Sequence, residues 1–245
     1  MRHSSPPRRE LLRIDGEPVS VVIRHNPRAR RLIIRVHPTT GEVTVVAPSR
    51  RAIDHALDFA RSEEAWIKRR LAKVPRIVEL ALGATVLFRG EDHIVTQAMQ
   101  GQSPVWIEET AGRRFIRVSG RAEHTSRRLL DFFKREARQI LSARTVELAE
   151  RIGTRPARIS VRDTQSRWGS CSTERSLSFS WRLILAPPFV LDYVVAHEVA
   201  HMRHMNHGPR FWKLVRQLTS QSDAAQAWLL KNGPLLHRYA VRTTA

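Results

Sequence analysis

Residues 190–212 read VLDYVVAHEVAHMRHMNHGPRFW, and this stretch decides the fold. Its first half is apolar with no Gly or Pro, which spells a buried helix. Inside it, HEVAH has the form H-E-x-x-H. On a helix, positions i and i+4 lie on one face about 6 Å apart along the axis. His197 and His201 therefore point the same way and can converge on one Zn²⁺ at about 2.0–2.1 Å. Glu198 leaves the helix at another angle, where it reaches a water on the metal without being a ligand.

A catalytic zinc takes three protein ligands and keeps one position open. Four histidines stand within eleven residues: His197, His201, His204 and His207. In a continuous helix His204 lies about 10.5 Å along the axis from His197, too far for one ion to bond all three histidines. The only helix breaker in the stretch is Gly208-Pro209. His207 can return to the metal if the chain turns around Asn206-His207-Gly208, since Asn and Gly accept the left-handed backbone such a turn uses. H-E-x-x-H-x5-H is also the outer spacing of the metzincin motif, although this chain has His204 where that motif has its central glycine. The one acid after Glu198 is Asp223. His207 is the favoured third ligand, with Asp223 and His204 as alternatives.

Around this stretch, Pro187-Pro188 opens a helix of about twenty residues, as proline fits a first turn. Helices follow near 209–219 and 223–231. Upstream, 158–161 and 177–185 read as strands, the second able to pair with an extended substrate. Residues 124–152 read as one long helix. Further back, 84–89, 92–97, 104–108 and 113–118 form a β set punctuated by Gly90, Gly101 and Gly112. Residues 50–73 have helical period, and 18–25, 31–36 and 42–47 look like an antiparallel meander. The expected organisation is a disordered tail over 1–9, a β-rich region with one helix over 10–123, and a helical catalytic region over 124–245.

The 245 residues carry 42 Lys and Arg against 23 acids, a net charge of +19. Residues 1–76 hold +9, 77–125 hold −1 and 126–245 hold +11. Such a surplus attracts polyanions, so non-specific nucleic-acid contact is one expectation. A solvated Arg-rich surface is the plainer one, since only 5 of the 42 are Lys. Cys171 is the single cysteine, which excludes an intramolecular disulfide and points to a reducing, cytoplasmic setting. A lone thiol is more often buried than reactive. No run of about 18 apolar residues exists to span a membrane, and MRHSSPPRRELL lacks the apolar core of a signal peptide.

Several segments in order carry a family resemblance: RWGSCS (167–172), LSFSWRLILAPPFVLDYVVAHEVAH (177–201) and NHGPRFW (206–212), with RARRLIIRVHPTTGEVTVVAP (28–48) near the start. Together they resemble the YgjP-like metallopeptidases, relatives of the SprT-like and WLM zincins, from about residue 18 to 220. The resemblance implies an α+β fold: a zincin core with its active-site helix beside a small antiparallel sheet, preceded by a β-rich N-terminal region. It also implies His197, His201 and His207 as ligands of one zinc per chain and Glu198 as the catalytic residue. The family often has Ser at the position of Gly208, and position 204 varies among non-ligand types. The RWGSCS segment would lie near the cleft, with Arg167 and Trp168 unassigned. His237 and Tyr239 either donate hydrogen bonds to a charged intermediate or are ordinary surface residues.

The expected activity is hydrolysis of peptide bonds in a protein or peptide substrate by a zinc-bound water that Glu198 activates. One rival is a zinc-dependent nucleotide or phosphate hydrolase, favoured by charge but disfavoured by a three-histidine site. The other is a basic nucleic-acid-associated module with a non-catalytic metal site.

Overall fold

The computed structural model describes residues 7–37, 40–74, 76–99, 103–164 and 166–240. The chain divides into two compact units, residues 1–76 and 77–245. The division falls well before the expected boundary at 123/124, because the second β set shares its apolar core with the helices that follow it. Among the described residues no helix is long and apolar enough to cross a membrane.

The first unit opens with β1 (Arg8–Ile14) and β2 (Glu17–His25), joined by Asp15-Gly16. Both turn residues have positive φ (51° and 84°), the two-residue turn whose twist suits a hairpin. Of the expected tail, residues 1–6 lie outside the described residues, and Arg8 and Arg9 already belong to β1. β3 (Ile33–Val36) and β4 (Val43–Ala47) complete a sheet of order β1-β2-β4-β3. It is not a meander: β4 inserts between β2 and β3 and runs parallel to β2. Burial accounts for this, since β4 places Val43, Val45 and Ala47 fully out of water and fits a central position. One helix was expected next, but three short ones form: α1 (Arg50–Asp54), α2 (Ala56–Ser62) and α3 (Glu64–Leu71). Ser49 caps the first, its hydroxyl accepting from Ala52 N–H at 3.2 Å. Ala56, Ala60 and Ile67 pack with Val21, Ile23, Val43 and Val45 into this unit's own core.

The second unit begins with β5 (Val78–Glu79), then β6 (Thr85–Phe88), β7 (Glu91–Ala98), β8 (Val105–Thr110) and β9 (Arg113–Ser119). The last four form a sheet of order β6-β7-β9-β8, with β7 and β9 parallel. The long helix α4 (Thr125–Arg151) lays Leu129, Phe132, Phe133, Ala137 and Leu141 into the core. β10 (Arg158–Arg162), β11 (Gly169–Cys171) and β12 (Ser176–Ser180) make a three-stranded sheet of order β10-β12-β11. This sheet is mixed, β10 being parallel and β11 antiparallel to β12. β12 is paired on both sides and has no edge to offer a substrate, contrary to the expectation for 177–185. Residues Trp181–Leu185 turn into a 3₁₀ helix instead of extending the strand.

α5 (Pro188–His201), α6 (Pro209–Leu218), α7 (Ser222–Leu236) and β13 (Tyr239–Ala240) complete the unit, and β13 pairs with β5. Nine of the fourteen residues of α5 are buried, from Val190 to Ala200, so it is a core helix rather than an amphipathic one. Its one acid off the motif, Asp192, accepts from Arg144 Nε on α4 at 2.9 Å.

Candidate metal centre

α5 ends at His201, earlier than Gly208-Pro209 suggested. The N–H groups of Met202, Arg203 and His204 fold back on the carbonyls of Val199 and Ala200, closing the last turn. The chain then loops to α6, where Pro209 occupies the first turn. Gly208 itself is extended (φ −79°, ψ −178°), so the return is made without the expected left-handed residue. Its N–H donates to the Asn206 carbonyl at 2.8 Å.

This loop brings His207 back over α5. His207 Nε2 lies 3.1 Å from His197 Nε2. Ligand nitrogens of His197, His201 and His207 all stand within 4.8 Å of one another. Two nitrogens bound to one tetrahedral zinc would be about 3.3–3.4 Å apart, so the imidazoles fit such an ion. No carboxylate belongs to the cluster, and an all-imidazole set suits zinc over magnesium or calcium. Neither His204 nor Asp223 is in it. Asp223 sits at the start of α7, accepting from Ser222 Oγ at 3.3 Å. His204 contributes its backbone: its carbonyl accepts from His201 Nδ1–H at 3.1 Å, which leaves Nε2 of His201 for a metal. His197 has no such brace, its Nδ1 being buried without a hydrogen-bond partner.

Aromatic packing holds the rings instead. Phe211, fully buried on α6, has its centroid 4.9, 4.5 and 4.7 Å from those of His197, His201 and His207. Trp212 stacks on His207 at 5.9 Å, and Tyr193 meets His197 edge-on at 5.9 Å. The reading of residue types missed these three. Their positions were a usable signal, since Tyr193 is one turn before His197 and Phe211 four residues after His207.

Glu198 is only 6% exposed. Burial pushes its carboxyl up to about 7, partly opposed by the Arg167 charge. Burial, with the neighbouring imidazoles, lowers His197 to about 4 and keeps it neutral, the form in which an imidazole can bind a metal. Gly169 of β11 lets the sheet approach the carboxylate closely: a Cβ there would lie 2.6 Å from Glu198 Cγ and Oε1. A glycine inside a strand is the usual sign of such an approach, but no strand was expected at 169–171 in which to place it. A cavity of about 220 Å³ opens beside the carboxylate, lined by Trp168, Gly169, Tyr193, His197, Glu198 and Leu229. Trp168 is backed by the His237 ring at 4.9 Å and by Gly233, where a Cβ would come within 3.2 Å of it.

Tyr239 is fully buried away from this cavity, its hydroxyl accepting from Leu87 N–H and from Arg238 Nη2, each at 3.0 Å. Cys171 is half-buried, and burial together with Glu198 pushes its thiol up to about 11, so it is protonated at neutral pH.

No curated protein and no solved structure matches the chain. The family described as YgjP-like, metallopeptidase domain, matches residues 30–232, more than four-fifths of the sequence. With its three clustered imidazoles and buried glutamate in view, the chain belongs to the YgjP-like metallopeptidase family.

Proposed function

We propose that the protein is a zinc-dependent endopeptidase whose zinc is held by His197, His201 and His207 and whose catalytic residue is Glu198. The observation that carries this reading is the clustering of three imidazole nitrogens beside a buried carboxyl that opens on a cavity. Zinc on such a set supplies a Lewis acid, which acidifies water and polarises a carbonyl oxygen. Glu198 takes the proton of the attacking water and delivers it to the leaving amine. A carboxyl raised to about 7 is matched to both transfers at neutral pH. Tyr193 and Trp168 wall the cavity and exclude bulk water from the carboxylate. An extended peptide pairs with β11, which of the two edge strands of its sheet is the one that adjoins Glu198, through Gly169.

The phosphate-hydrolase reading is weaker, because no carboxylate joins the donor cluster. The test compares wild type with Glu198→Gln and His201→Ala by elemental analysis and by a proteome-wide cleavage profile. Glu198→Gln keeps zinc and loses cleavage; His201→Ala loses both. Undiminished cleavage by zinc-loaded Glu198→Gln would defeat the mechanism, and full zinc occupancy in His201→Ala would defeat the ligand assignment.

A further inference from the structure

The three-stranded sheet has two unlike faces. On one, Ile159, Leu177 and Cys171 stand in register across the strands, followed by Val161, Phe179 and Gly169, the glycine against Glu198. On the other, Ser160, Ser178 and Ser170 form a row, flanked by Arg158 and Ser176 on one side and by Arg162 on the other. This second face opens into a hollow of about 500 Å³, which Arg167 also lines. Arg158, Arg162 and Arg167 are exposed, and none makes an ion pair among the described residues. The hydroxyls of Ser170 and Ser178 have no protein partner there, and no acid and no aromatic lines the hollow. The guanidinium groups of Arg158 and Arg162, with no acid beside them in the hollow, and the nearby hydroxyl donors are the groups that recognise oxyanions.

We propose that this hollow is a substrate subsite that takes an acidic stretch of the peptide being cleaved, which rests on the peptidase reading given above. Adjacency selects the occupant. Successive residues of β11 look into the two recesses: Gly169 toward Glu198 and its cavity, Ser170 toward the hollow. A chain paired along β11 alternates in the same way, so its neighbouring residues face the catalytic cavity and the basic hollow in turn. Arg167 spans both, lining the hollow while its charge acts on Glu198. The hollow extends across three strands, roughly 10 Å, so it accepts several carboxylates rather than one. A single-stranded nucleic acid would ordinarily find aromatic rings to stack on, and this face has none.

The test uses the full-length zinc-loaded protein and fluorescein-labelled decapeptides in which Ala alternates with Glu or with Gln. Anisotropy is expected to show the Glu peptide bound about tenfold more tightly, the size of one charge-assisted contact. The double variant Arg158→Gln/Arg162→Gln abolishes that preference. Arg50→Gln/Arg51→Gln removes the same charge from the first unit and keeps it. A preference lost equally in both variants, or absent in wild type, overturns the proposal in favour of diffuse charge. A single-stranded oligonucleotide whose binding alone depends on Arg158 and Arg162 overturns it in favour of nucleic acid. Binding of the Glu peptide as expected, with no peptide bond cleaved, defeats the peptidase reading and leaves the anion site standing.

Discussion

The two four-stranded sheets, one in each unit, have the same topology. In β1-β2-β4-β3 and in β6-β7-β9-β8 a hairpin is followed by a parallel pair and a second hairpin. Even the first turns agree: Asp15-Gly16 has φ of 51° and 84°, Arg89-Gly90 has 54° and 85°. They differ in what the turn touches. A Cβ added at Gly16 would meet nothing within 4 Å, whereas one at Gly90 would lie 2.7 Å from Pro187 Cγ and 2.9 Å from its Cα. The second turn also donates from Arg89 and Gly90 N–H to the carbonyls of Ile184 and Leu185, at 2.8 and 2.9 Å. Those residues lead into α5. One topology thus serves once as a self-contained unit and once as the support on which α5, the helix of His197, Glu198 and His201, starts.

The strongest way to separate the two units is through the chemistry. Glu198→Gln is expected to lower turnover by about 10²–10⁴, the usual contribution of a positioned acid–base group. Thermal unfolding of the first unit should be unmoved. Ile67→Ala does the reverse: it empties the first core and costs that unit about 2–5 kcal/mol, while zinc content stays at one per chain. Zinc lost from Ile67→Ala, measured by elemental analysis on folded protein, would show that the units are not separable in this way.

Next in size is Phe211→Ala. The ring is fully buried among the three imidazoles, so its removal should destabilise the second unit by about 3–5 kcal/mol. Zinc affinity should fall with it, because His197 has only packing to hold its ring. Phe211→Leu, nearer in volume, should restore most of the stability and less of the affinity. Equal recovery of both would mean that Phe211 fills space without orienting the ligands.

Gly169→Ala follows, acting on the carboxylate rather than the metal. The new methyl overlaps Glu198 Cγ and Oε1, an overpacking worth about 1–3 kcal/mol. The expected result is a fall in kcat with zinc content unchanged; an unaltered kcat would place the reactive position of Glu198 elsewhere.

How much of this could be read beforehand depends on how local each determinant is. The spacing of His197 and His201 is fixed by helix geometry, and the strands at 84–89, 92–97 and 113–118 by composition and glycine punctuation. The end of α5 was not legible, since Met202-Arg203-His204 contains no breaker. The helix ends where the N–H groups of Met202 and Arg203 switch to carbonyls three residues back and the His201 ring takes the carbonyl of His204. The insertion of β4 beside β2 was hidden for a different reason. Which strand takes the central place is settled by pairing across the sheet, and nothing in VTVVA alone specifies it. Asp15-Gly16 was a readable hairpin signal, obscured by the basic, Pro-containing segment before it.

The smallest expected effect gives the sharpest test of the comparison, because it uses one substitution at equivalent places. Gly16→Ala puts a Cβ on a left-handed backbone in open space, at a cost of roughly 1 kcal/mol borne by the first unit alone. Gly90→Ala carries the same backbone cost and adds the collision with Pro187, which cannot rotate away because the contact includes its Cα and N. The turn must then lift, stretching the two hydrogen bonds to Ile184 and Leu185 and shifting the start of α5. Hydrogen exchange should show faster exchange at Arg89 and Gly90 and lower zinc affinity in Gly90→Ala, with neither change in Gly16→Ala. If both variants lose about the same stability and keep the same zinc affinity, the second sheet is no more coupled to α5 than the first.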